Sequence, residues 1–148
     1  EIAWGLLALG ITALVFWGAA WSYPQGRETI WLVGGATMIA IEQAAIRSGQ
    51  QVLQYPSTAQ STVGGFVSGG SGGTGSIAHG MIHTGFVTAL DVVHAVPDAT
   101  LIHVEGEATE PYLHRYGTVG VIATVTVRLE PLQEWRAFFA SHLYVLLE

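Results

Sequence analysis

Residues 2–21, IAWGLLALGITALVFWGAAW, run for twenty positions without a charge, and residues 30–46, IWLVGGATMIAIEQAAI, follow after a short polar turn. Twenty helical residues rise about 30 Å, the thickness of a hydrocarbon core, so the first run is long enough to cross a bilayer. It lacks the basic leader of a signal peptide, which favours a retained span. Trp17, Trp21, Tyr23 and Trp31 surround the loop at 22–28, as an aromatic belt does at a membrane interface, and Trp4 sits toward the opposite end. Pro24 and Gly26 break the first helix, and Thr29 can cap a second one with Glu28 beside its positive end. The expectation is an α-helical transmembrane hairpin over residues 1–49, a multi-pass membrane protein with two spans.

The second stretch carries Gly34, Gly35, Ala36, Ala40 and Ala44, a small-residue helix-packing face open to the first helix or to a neighbouring subunit. Arg27 and Arg47 flank it with one charge on each side, so charge chooses no orientation. Glu42 and Gln43 fall before its end, where an ionisable group is costly unless it meets protein, water or a counter-ion. Two readings follow: an ion or proton site at Glu42 and Gln43, or a span that ends near Ile41 and leaves Glu42 among headgroups.

Composition separates the two halves. Residues 1–60 hold five charged side chains (Glu1, Arg27, Glu28, Glu42 and Arg47), whereas all six histidines lie beyond residue 76. There is no lysine, and five arginines leave a net charge of −6, which argues against a nucleic-acid partner because phosphate binding needs clustered cations. The absence of cysteine excludes disulfides, thiolate metal sites and cysteine nucleophiles. Residues 50–76 read as a polar, then Gly/Ser-rich linker. Its segment 68–76, SGGSGGTGS, has the composition of a laboratory linker, and with Leu147-Glu148 at the end it makes an engineered fusion an alternative.

Residues 77–148 read as a small α+β domain. Ile77 to Thr84 is a candidate strand, Phe86 to Val96 has helical apolar spacing, and Thr100 to Ala108 alternates like a half-exposed strand. Thr118 to Leu129 has the clearest strand period in the chain, with Val119, Val121, Ala123, Val125, Val127 and Leu129 on one face. Glu130-Pro131 then opens an amphipathic helix whose stripe is Leu132, Trp135, Phe139, His142, Leu143 and Leu146, placed to cover the sheet. The order β-α-β-β-α is that of a ferredoxin-like sandwich lacking its last strand.

Chemistry is less legible. His79 and His83 share a face as either helix or strand, and with His103 and Glu105 they are the candidate divalent-metal ligands; the zinc-protease pattern fails because position 80 is glycine. Ser76, His79 and Asp91 have no triad-like spacing. The glycine-rich stretch 64–75 resembles a phosphate loop superficially, yet it lacks the lysine and the framing strand and helix. The favoured expectation is a non-enzymatic membrane-anchored subunit or assembly module of a homo- or hetero-oligomeric complex, with the lipid bilayer and other subunits as partners. The alternative is an ion-, proton- or metal-handling membrane protein using Glu42 and the histidines.

Overall fold

The computed structural model describes residues 28–134. The first expected span and nearly all of the expected terminal helix lie outside the described residues. Leu132 to Glu134, which are described, take no regular structure, and Pro131 closes a strand instead of opening a helix.

The second expected span is divided between a strand and a helix. Thr29–Val33 form β1, the chain turns at Gly34-Gly35, and Met38–Arg47 form helix α1. Ile, Trp, Leu and Val are β-branched or bulky residues that suit a pleated surface, and Ile30 and Leu32 are buried while Trp31 between them faces out. In α1, Met38, Ile41 and Ala45 fall on one buried stripe, and Arg47 lies in the last turn, where a cation complements the helix dipole. Ten residues of helix rise about 15 Å, half a hydrocarbon core. Among the described residues no helix is long and apolar enough to cross a membrane. The two-span hairpin and the multi-pass placement are therefore corrected: one apolar run joins two elements of a globular core.

Beyond α1 come β2 (Gln50–Val52), helix α2 (Val63–Gly69) and the single turn α3 (Ser76–His79). The segment expected as a linker thus contributes Val63, Phe66 and Val67 to the core, with Phe66 edge-on to Phe86 at a centroid distance of 6.1 Å. Thr62 caps α2 by accepting the Gly65 N–H at 3.1 Å. Strand β3 (Val87–His94) occupies the stretch expected to be helical, β4 (Leu101–Glu105) follows, and a 3-10 turn (Gly106–Tyr112) leads on toward β5 (Gly120–Pro131). The apolar residues of β3 mimic a helical spacing, but Val87, Val92 and Val93 are β-branched and the strand is central, so it is buried more continuously than a simple alternation allows. The ferredoxin-like order is corrected accordingly.

All strand pairs are antiparallel, in the order β1-β5-β3-β4, with β2 pairing the far end of β5. The twelve-residue β5 is the spine of the sheet, and its registry explains which residues meet. Leu32, Val125, Leu90 and Val104 form one transverse row, and Val33, Thr124, Asp91 and His103 form the next. The first row points into the core with Met38, Ile41, Phe66 and Phe86, and the second points to the opposite, open face.

Candidate functional site

Three stretches of main chain converge where β1 ends. The Gly34 N–H donates to Ala123 O at 2.8 Å, and the Gly64 N–H donates to Gly34 O at 2.9 Å. A methyl on Gly34 would lie 2.3 Å from Ile122 O, and one on Gly64 would lie 2.9 Å from Gly34 O, so only glycine lets these backbones touch. Their neighbours turn outward. Gly35 and Gly65 are exposed; Gly69, one helical turn beyond Gly65, is half-exposed; Ser71 and Gly72 are exposed again. At Gly35 and Gly69 an added methyl would meet no atom within 4 Å.

The result is an outward strip from the β1–α1 turn along α2, open at Gly35 and Gly69 and bordered by the Thr62 hydroxyl at Gly65 and by Ser76 and Met81 at Gly72. Among the described residues the amides of Ser71 and Gly72 donate to no protein oxygen. The following residues are held firmly, because Thr74 and Tyr55 exchange both backbone hydrogen bonds at 2.7 and 3.0 Å and the Gly73 N–H donates to Ser76 Oγ at 2.7 Å. Such a strip admits a large ligand to van der Waals contact with main chain and offers unspent N–H donors to its acceptor atoms.

The residues singled out from the sequence are dispersed. Gly34 is buried in the backbone contact just described, Gly35 opens the strip, Ala36 packs on the core, and Ala40 and Ala44 are half-buried on α1. Gln43 is exposed. Glu42 and His79 do share a place, a cavity of about 360 Å³ bounded also by Gln51, Tyr55, Thr74, Glu130 and Gln133. There Glu42 accepts the Val52 N–H at 3.0 Å, Glu130 accepts from Gln51 Nε2 at 2.7 Å, and His79 Nε2 lies 3.2 Å from Glu130. Burial pushes the Glu42 carboxyl above its usual range, with the Val52 N–H opposing and the nearby Glu130 adding to the rise. Burial and the Glu42 charge together raise the Tyr55 phenol.

His83 stands elsewhere, in an open cleft of about 720 Å³ with Arg128, Glu107 and Glu110. His103 and Glu105 are on the open face of the sheet, His103 Nε2 lying 3.0 Å from Glu105 and its Nδ1 2.6 Å from Asp91. Asp91 also accepts from the Thr124 hydroxyl. That hydroxyl is the main cause of a lowered Asp91 pKa, ahead of His103, while Glu105 first and Asp91 second raise that of His103. Among the described residues no group of three or more His, Cys, Asp or Glu is arranged to hold a metal ion.

A helix-backed antiparallel sheet that presents bare main chain and amides without a protein acceptor along one side has the means to seat a large phosphate-bearing ligand. The comparison with family models makes this particular: residues 22–105, more than half of the chain, match the FAD binding domain, and the chain belongs to that family. No curated protein matches the chain. The expectation of a membrane assembly subunit is thereby corrected, and the cofactor to which the family points is FAD, not a divalent metal. The residues present suit it. A dinucleotide with a flat ring system and a diphosphate needs close backbone approach and N–H donors, and the strip from Gly35 to Gly72 supplies both. The sequence reading sets the stretch 64–75 aside as a phosphate loop and so singles out none of Gly65, Gly69, Ser71 and Gly72. The pattern that marks them is the helix cap Thr62 followed by Gly64-Gly65 and a glycine four residues on, which places bare backbone on one face of α2.

Proposed function

We propose that the chain forms one wall of the FAD site of a flavoprotein oxidoreductase, with the strip Gly35–Gly65–Gly69–Gly72 lying against the dinucleotide. The observation that carries this reading is the coincidence of that strip with the segment matching the family. Bound there, FAD supplies a two-electron acceptor for a reduced substrate. The chain's own residues bind and orient. The Ser71 and Gly72 amides donate to acceptor oxygens of the ligand. The close-packed Gly34–Gly64 contact fixes the angle between the β1–α1 turn and α2, and the buried side chains of α2 beneath the strip keep water from its inner side.

The test is a measurement of bound flavin. The purified protein is expected to release FAD on denaturation, or to take it up with quenching of flavin fluorescence. Gly69→Ala is the informative variant. Its methyl meets nothing in the protein, and alanine in place of a helical glycine stabilises by about 0.5–1 kcal/mol. A more stable protein that binds FAD more weakly supports the reading. Absence of any FAD binding by the unaltered protein, or Gly69→Ala binding FAD as well as the parent does, overturns it.

A further inference from the structure

A second segment is fastened to the end of the strip, beyond the part of the chain that matches the family. The His114 N–H donates to Val67 O at 3.1 Å and the Tyr116 N–H donates to Ser68 O at 2.9 Å, so Leu113–Gly117 lies as a strap over the last turn of α2. Both residues adopt left-handed backbone, with φ of 56° at His114 and 52° at Tyr116. Non-glycine side chains rarely do so, and such conformations persist only where surrounding contacts impose them. Here the contacts are specific. The His114 ring lies so close to Gly70 that an added methyl would sit 2.1 Å from its Cγ, and His114 Nε2 is 2.9 Å from the Tyr116 hydroxyl.

Arg115 is the residue between these two anchors, and it is exposed. Its Nε donates to Pro111 O at 3.1 Å, which holds the stem and leaves the outer N–H groups without a protein partner among the described residues. The described residues contain two other arginines. Arg47 ends α1, and Arg128 lines the cleft with Glu107 and Glu110. In a chain of net charge −6, Arg115 is thus, among the described residues, the arginine carried by the strap fastened to Val67 and Ser68, a few positions before the Ser71–Gly72 amides.

Resting on the flavin reading, we propose that the strap is a diphosphate clamp: Arg115 supplies the counter-charge to the phosphate oxygens of the dinucleotide, and His114 and Tyr116 hold it at the end of the glycine strip. A guanidinium suits the role because its forked donors match phosphate oxygens.

The experiment compares flavins that differ in phosphate content, with the flavin fluorescence and visible spectrum as readouts. Arg115→Gln is expected to weaken FAD binding about tenfold or more, as loss of a charge-assisted hydrogen bond does, and to leave binding of riboflavin, which has no phosphate, unchanged. Raised salt should weaken FAD binding to the parent more than to the variant. Arg115→Lys should restore part of the affinity, since it returns the charge without the fork. Equal loss for FAD and riboflavin would show a merely structural strap and overturn the clamp, as would unchanged FAD affinity in Arg115→Gln. A parent protein that binds neither flavin overturns the flavin reading itself, and the clamp with it.

Discussion

Adjacent glycines in the β1–α1 turn should respond to the same substitution in opposite ways. In Gly34→Ala the new methyl would stand 2.3 Å from the Ile122 carbonyl oxygen, which is main chain and cannot rotate aside. Strand β1 must then withdraw from β5, stretching the Gly34 N–H to Ala123 O bond of 2.8 Å and the Gly64 N–H to Gly34 O bond of 2.9 Å. Overpacking costs roughly 1–3 kcal/mol, and each weakened hydrogen bond up to about 1 kcal/mol. Because the strand shift relieves part of the clash as it stretches the bonds, the terms overlap, and about 3 kcal/mol is the expected loss. In Gly35→Ala the methyl meets no atom within 4 Å, and the expected change is within about 0.5 kcal/mol. Urea unfolding followed by tryptophan fluorescence measures both. With a slope of about 1.5 kcal/mol/M, Gly34→Ala should shift the midpoint down by about 2 M while Gly35→Ala barely moves it. Equal midpoints for the two variants, or a Gly34→Ala loss below about 0.5 kcal/mol, would refute the claim that main-chain contact fixes this corner.

The open face of the sheet should make stability depend on pH through His103 and Asp91. The raised His103 pKa contributes stability that is full below the ordinary value of 6.5 and is lost as pH rises through the raised one. The lowered Asp91 pKa contributes stability above its ordinary 3.8 that is lost as pH falls through the lowered one. His103→Gln should therefore reduce the melting temperature more at about pH 5.5 than at about pH 9, and a difference that does not vary with pH would count against the pairing. At the cavity beneath α1, the raised Glu42 pKa means that ionisation costs folding energy, so stability falls as pH climbs from the ordinary 4.5 through the raised value. Glu42→Gln keeps an oxygen for the Val52 N–H and should be the more stable form at neutral pH, by less than about 1 kcal/mol because the half-exposed group is screened. The gain should vanish in acid, and thermal melts showing a neutral-pH loss would contradict it.

How much of this was legible in the sequence depended on whether an element carried its own period. Strand β4 is readable because Ile102 and Val104 alternate with Leu101, His103 and Glu105, and β5 because Val125, Val127 and Leu129 alternate with Thr124, Thr126 and Arg128, although Val121 proves exposed where the alternation placed it with Val125 and Val127. The register shift at Asp91-Val92 breaks the alternation there, a long-range feature with no local mark. Strand β3 imitates a helix because Val87, Leu90 and Val93 recur every third residue, and its register shifts at Val87/Ala89 and Asp91/Val92 break the alternation that would mark a strand. The apolar run 30–46 was misread because hydropathy adds residues without asking which way they point. Its strand buries Ile30 and Leu32 and its helix buries Met38, Ile41 and Ala45, so a single run serves two periods, divided at Gly34-Gly35.

The glycine-rich segment failed for a different reason, and that reason ties fold to function. Composition alone scores it as a chain with too little apolar surface to be ordered, yet it is ordered by what glycine lacks. Gly34, Gly64 and Gly73 each press main chain against main chain, with carbonyl oxygens where a methyl would be. Gly35 and Gly65, their sequence neighbours, are exposed, and at Gly35 and Gly69 an added methyl would meet no atom within 4 Å. Order comes from the inward set and the proposed flavin contact uses the outward set, so alanine should destabilise the first and spare the fold at the second while weakening FAD binding. A random-coil linker of the same composition would show neither response, which is why the paired substitutions at Gly34 and Gly69 test the fold and the flavin site as one argument.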